Sequence, residues 1–161
     1  MSSPAQPYPG EVSQPQEILA LAEEYRQAAT ALRGLLKTKQ PLSTAPFRLC
    51  AIQAIELFLN SFLLQNGMKP SEIRALQHDM QRRAELSTNN GLVLRKKTAD
   101  HLKTLANNRE YLISRYEPAM VNSVSEINRL LATMEEVANK VQKQSGSKAS
   151  ILINTGMAAI G

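Results

Sequence analysis

Apolar residues recur at three- and four-residue steps along most of the chain, and that spacing predicts helices. Ile18, Leu21/Ala22, Tyr25, Ala28/Ala29, Leu32 and Leu35/Leu36 fall on one face. A first helix is therefore predicted over 15–37, with Lys37 and Lys39 near the negative end of its dipole. Gln40-Pro41-Leu42-Ser43 breaks it. Ser43 or Thr44 can cap a second helix with Pro46 in its first turn, where a missing N–H is harmless. From Leu49 to Leu64 apolar side chains point in nearly every direction, the pattern of a central rod covered by its neighbours. Gly67 is placed to end that rod as a left-handed cap.

Pro70-Ser71-Glu72 opens a third helix with the stripe Ile73, Leu76, Met80 and Ala84, predicted to stop near Asn89-Asn90-Gly91. A fourth, roughly 92–116, carries Leu102, Leu105, Leu112 and Tyr116 on one side. Pro118 ends it and can start a fifth. There Val121, Val124, Ile127, Leu131, Met134, Ala138 and Val141 form a seam of alternating three- and four-residue steps. Beyond Gln144 the period is lost, and Ile151-Leu152-Ile153 could dock on the bundle or be disordered. With no period-2 run, the fold class is all-α. Short connections favour an up-and-down bundle of four to five helices. The predicted organisation is a disordered leader over 1–14, a bundle over 15–144 and a tail over 145–161.

Composition then narrows the chemistry. The chain of 161 residues is 43% hydrophobic but only 4% aromatic, with no Trp, so base stacking is a poor main mode of recognition. One Cys and two His leave no disulfide framework and no metal or other cofactor. The segment Leu49–Leu64, interrupted by Gln53, Glu56, Asn60 and Ser61, reads as too short and polar for a bilayer. The leader is no signal peptide. A soluble, cytoplasmic protein away from the membrane is the expectation. The net charge of +5 is concentrated around Arg95, Lys96, Lys97 and Lys103 and in the last residues. Such a zone either faces solvent or meets phosphates.

Three short segments resemble the HEPN superfamily in order and spacing. Ala54-Ile55-Glu56-Leu57, with Asn60, is similar to an apolar family helix bearing one acid. His78-Asp79-Met80 resembles a His-Asp-Leu step, and Arg115-Tyr116-Glu117-Pro118 an Arg-Tyr-Pro element. The resemblance spans about residues 15–142. It implies a helical bundle that commonly dimerises and acts in toxin–antitoxin, defence or RNA-processing systems. The partners it implies are a second copy, RNA, a nucleotide or an antitoxin-like protein. Catalytic members cleave RNA without metal through an Arg and a His four to six residues apart. Arg95 and His101 have that spacing, with His101 as acid–base group and Arg95 as charge stabiliser. Lys96-Lys97 departs from the polar residue that often follows the Arg. The expected function is accordingly a non-catalytic binding module, with a ribonuclease or an assembly protein as alternatives.

Glu56, His78, Asp79, Lys96, Lys97, Arg115 and Tyr116 are the candidate groove residues. A carboxylate in the most apolar helix needs a partner; His78, Arg115 and Tyr116 are the candidates. By its helical angle His78 lies away from the Ile73–Met80–Ala84 stripe, facing solvent, another helix or a ligand. Asp79 would orient or neutralise it, or face water. Tyr25, Tyr111 and Tyr116 read as core residues with polar tips. Met68, Met80, Met120 and Met134 read as packing residues, and Cys50 as a small buried hydrophobe.

Overall fold

A computed structural model describes residues 3–158, with side chains described for residues 3–148. Among these the chain is helical, without strands: α1 (Pro15–Leu32), α2 (Ala45–Gln65), α3 (Pro70–Ala75), α4 (Met80–Asn89), α5 (Lys96–Asn107), α6 (Glu110–Tyr116) and α7 (Ile127–Ala158). Short 3₁₀ segments, Arg33–Leu35, Pro41–Thr44 and Pro118–Ser123, join or extend them. Taking α3–α4 and α5–α6 as two broken rods gives the five rods that the periodicity predicts.

The middle of the bundle is α2. Phe47, Ala51, Ala54, Ile55, Phe58 and Leu59 are fully buried, and α1, α4, α6 and α7 pack around them. Pro41–Gln65 is long and apolar enough to cross a membrane, with a mean hydropathy of 1.5, which the shorter span Leu49–Leu64 concealed. Its apolar window is 72% buried inside the protein, so the core consumes that surface. Gly67, at φ +90°, closes α2 while the Met68 amide donates to the Leu63 carbonyl at 3.0 Å. Ala22 and Ala29 are fully buried and let α1 approach α2 closely; Ile18, Tyr25, Leu32 and Leu36 flank them. Leu21 and Leu35 of the same predicted stripe are exposed instead.

The rods break at three places. Gln77 takes a left-handed φ of +49°, and Asp79 starts α4 by accepting the Arg82 amide at 2.9 Å. Arg109, at φ +50°, separates α5 from α6. Val124 is extended, so the last helix starts at Ile127 rather than at Pro118. The Ser125 amide donates to Glu110 Oε1 at 2.9 Å, which holds that extended stretch against α6. Leu130, Met134, Val137, Ala138 and Val141 then face α2, all fully buried. The helix continues past Gln144 to Ala158, where the lost period predicts a tail. The side chains of Ile151-Leu152-Ile153 lie outside the described residues.

Because Phe58 is fully enclosed in the central rod, Phe58→Ala should destabilise the fold by about 3–5 kcal/mol in urea unfolding. A change below about 1 kcal/mol would place α2 at the periphery.

Candidate functional site

The polar residues that interrupt α2 are not scattered. Gln53, Glu56 and Asn60 stand three and four residues apart, on one stripe of an otherwise apolar helix. Facing that stripe is the start of α4, whose buried side carries Met80, Arg83, Ala84 and Ser87. Arg83 is only 2% exposed. Its Nε donates to Asn60 Oδ1 at 2.7 Å, its Nη1 to the Asp79 carbonyl at 3.4 Å, and its Nη2 lies 3.4 Å from Glu56 Oε1. Burial pulls the guanidinium below its usual pKa, against Glu56 and Asp79, which raise it. The other carboxylate oxygen, Glu56 Oε2, accepts from His78 Nδ1 at 3.1 Å. The His78 ring also stacks at a tilt on Tyr111, centroids 4.6 Å apart.

Glu56, Asn60, His78 and Arg83 form one side of a cavity of about 540 Å³. Leu57, Leu64 and Ile73 give it an apolar wall, and Arg74 stands with Gln77 and His78 along its rim. Its outer wall is the chain segment Tyr8–Glu11. Volume, a largely apolar lining and a few convergent polar groups are the attributes of a small-ligand site. Among the described residues no group of three or more His, Cys, Asp and Glu could hold a metal ion.

Of the predicted groove residues, Glu56 and His78 are here. Asp79 serves α4 as its cap, so it neither orients nor neutralises His78. Arg115 reaches the outer end of the same stripe, with Nη2 3.5 Å from Gln53 Oε1, and does not meet Glu56. Tyr116 is 73% exposed and Met120 is exposed, so neither packs in the core: α6 ends beside them and the 3₁₀ turn carries Met120 outward. Tyr25 and Tyr111 do pack against the core, as do Met80 and Met134, and Cys50 is half-buried. Arg83 escapes a sequence reading because charged residues are read as surface. Its signal is position, three residues after Met80 on the buried face. Arg74 and Tyr8 carry no comparable signal.

Arg95 and His101 are not brought together into an exposed pair. Arg95 caps α5 at the surface, its Nε 3.8 Å from Glu136 Oε1. Lys97 and Lys103 are exposed, and Lys96 pairs with Asp100 at 2.6 Å. Burial would raise Glu136, but hydrogen bonds from Lys140, Thr98 and the Arg95 amide hold it below the usual carboxylate range. That carboxylate therefore offsets part of the basic zone.

His101 is buried one turn further along the same α5–α7 contact, with both ring nitrogens engaged. Ser125 Oγ gives its proton to Glu110 Oε1 at 2.5 Å, so His101 Nε2–H donates to Ser125 Oγ at 2.8 Å. Thr133 Oγ1 then donates to Nδ1 at 2.8 Å. Arg48 Nη1, donating to the Ser125 carbonyl at 2.5 Å, completes the cluster. Burial, with Arg129 and Arg48 close by, pushes His101 down to about 4. The ring is thus held neutral, with both nitrogens bonded inside the protein.

Among the described residues, fold and site together define an all-helical domain with a partly polar cavity beside its central helix. The family model described as HEPN domain matches residues 16–144, and the chain belongs to that family. Comparisons with curated proteins and with solved structures found no match.

The His101 ring gives a pH dependence whose sign is fixed. The folded pKa of about 4 lies below the ordinary 6.5, so the unfolded chain takes the proton first. The stabilisation is complete above pH 6.5 and is lost as pH falls toward 4. Between pH 7 and pH 4.5 the wild type should lose about 2–3 kcal/mol more than His101→Gln in urea unfolding. Parallel pH profiles would show that the ring is not held neutral.

Proposed function

We propose that this HEPN-family chain is a non-catalytic binding module that takes a nucleotide in the cavity between α2 and α3–α4. The observation that carries this reading is the cavity itself. An apolar wall of Leu57, Leu64 and Ile73 suits a base, the Glu56–Arg83–Asn60 floor offers fixed donors and acceptors, and exposed Arg74 can meet phosphate. A concave volume of about 540 Å³ favours a nucleotide over an RNA helix or a protein surface. The ribonuclease alternative loses support from the buried, neutral His101. A cytoplasmic homodimer in a stress, defence or toxin–antitoxin setting, engaging RNA or an antitoxin-like protein elsewhere on its surface, is the physiological reading that accompanies the family.

Calorimetric titration with ATP, AMP and a hexauridylate tests this. ATP should bind one per chain. Arg74→Ala, a surface change, should weaken it about tenfold or more, the loss of one charge-assisted hydrogen bond, with the melting temperature unchanged. No binding of any of the three would reject the reading. RNA cleavage in EDTA that disappears in His101→Ala would replace it with the ribonuclease.

A further inference from the structure

The residues ahead of α1 belong to the cavity, although nothing in their sequence pairs them with it. Tyr8-Pro9-Gly10-Glu11 is a self-contained turn. The Glu11 amide donates to the Tyr8 carbonyl at 2.9 Å, and the Tyr8 amide to Glu11 Oε2 at 2.9 Å. Gly10 stands at φ +90°, the left-handed conformation that the third position of a type II turn requires after Pro9. Such a unit moves as one piece.

Its attachment to the bundle is light. All four turn residues are exposed, and the Tyr8 ring lies on the Arg74 guanidinium, 4.5 Å from its centroid to Cζ. Behind the turn Val12 is 70% exposed. The start of α1 is tied to α2, since the Pro15 carbonyl accepts from Ser61 Oγ at 2.8 Å. The Gln14 amide donates to Glu17 Oε2 at 2.7 Å and its carbonyl accepts from the Glu17 amide, so the helix start is fixed from Gln14 onward. Residues 12 and 13 are thus the hinge between that start and a turn held at its far end by one ring contact.

The turn roofs the cavity without filling it, since about 540 Å³ remains beneath. The latch also leaves the binding chemistry intact. A guanidinium gives its face to an aromatic ring while its N–H groups, which lie in its own plane, stay available for phosphate. Closure and binding are therefore compatible, which distinguishes a lid from a competitor.

We propose that the turn Tyr8–Glu11 is a hinged lid, latched by Tyr8 on Arg74, that closes over the bound nucleotide. The enclosure rests on the nucleotide reading; the latch does not. The test uses full-length protein and a fluorescent N-methylanthraniloyl ATP in stopped flow. Tyr8→Ala should speed dissociation more than association and weaken binding by about two- to fivefold, while Tyr8→Phe keeps wild-type kinetics, because the ring face is retained. Tighter binding by Tyr8→Ala would mark the turn as a competitor and overturn the lid; unchanged kinetics would overturn it as well.

A second measurement needs no ligand. Spin labels at Pro9→Cys and Gln77→Cys, with Cys50→Ser, report the distance across the rim. A short distance that lengthens and broadens when Tyr8→Ala is added supports the latch, and an unchanged distribution overturns it. Failure of the nucleotide reading has its own signature: no variant binds the analogue, while the label distance still lengthens in Tyr8→Ala, which supports the latch.

Discussion

A carboxylate in the middle of the most apolar helix constrains everything built around it. Leaving Glu56 bare among Phe58, Leu59 and Ile55 would cost several kcal/mol. The fold supplies Arg83, itself 2% exposed, and the pair is acceptable only because each group holds further hydrogen bonds. That requirement explains the awkward geometry between α3 and α4. The chain must turn at Gln77 and restart at Asp79 so that His78 and Arg83 reach the same face of α2. Polar groups that must stay bonded to each other do not fill the adjoining space, and the cavity lies there.

A second polar cluster sits across the bundle and does different work. His101, Ser125, Glu110, Thr133 and Arg48 tie α5, α6, α7 and α2 together where the chain crosses from α6 to α7 without regular structure. The crossing leaves backbone groups that no helix satisfies, and side chains satisfy them. Of the Arg–His spacing that looks like a ribonuclease signature, His101 belongs to this buried cluster and Arg95 does not. Its two members face different surroundings, solvent for Arg95 and a bonded interior for His101. Spacing along a helix places two residues on related faces; it does not say whether those faces meet water.

Much of the architecture is legible in the sequence because helical burial repeats with a fixed period. The all-round apolarity of Leu49–Leu64 marks the centre, and Gly67 marks its end. The breaks at Gln77, Arg109 and Val124 are not legible: Gln77 and Arg109 take left-handed φ without being glycine, and the stretch after Val124 is held by Glu110 of α6. Half of the site could be read the same way. Glu56 advertises a missing partner and His78 stands off its stripe, but Arg83 hides as an ordinary charge and Tyr8 as part of a proline-rich leader. Tyr116 and Met120 misled because an apolar residue at the right period still needs a helix that continues, and α6 stops at Tyr116.

The account depends on Glu56 and Arg83 being one interacting unit inside the bundle, and a double-mutant cycle addresses that directly. Urea unfolding of Glu56→Ala, Arg83→Ala and the double variant gives the coupling. Each single change should cost about 3–5 kcal/mol, because it strands a buried charge. The double variant should fall short of their sum by about 2 kcal/mol or more. Strictly additive losses would mean that the two side chains do not sense each other, and would contradict the account at its base.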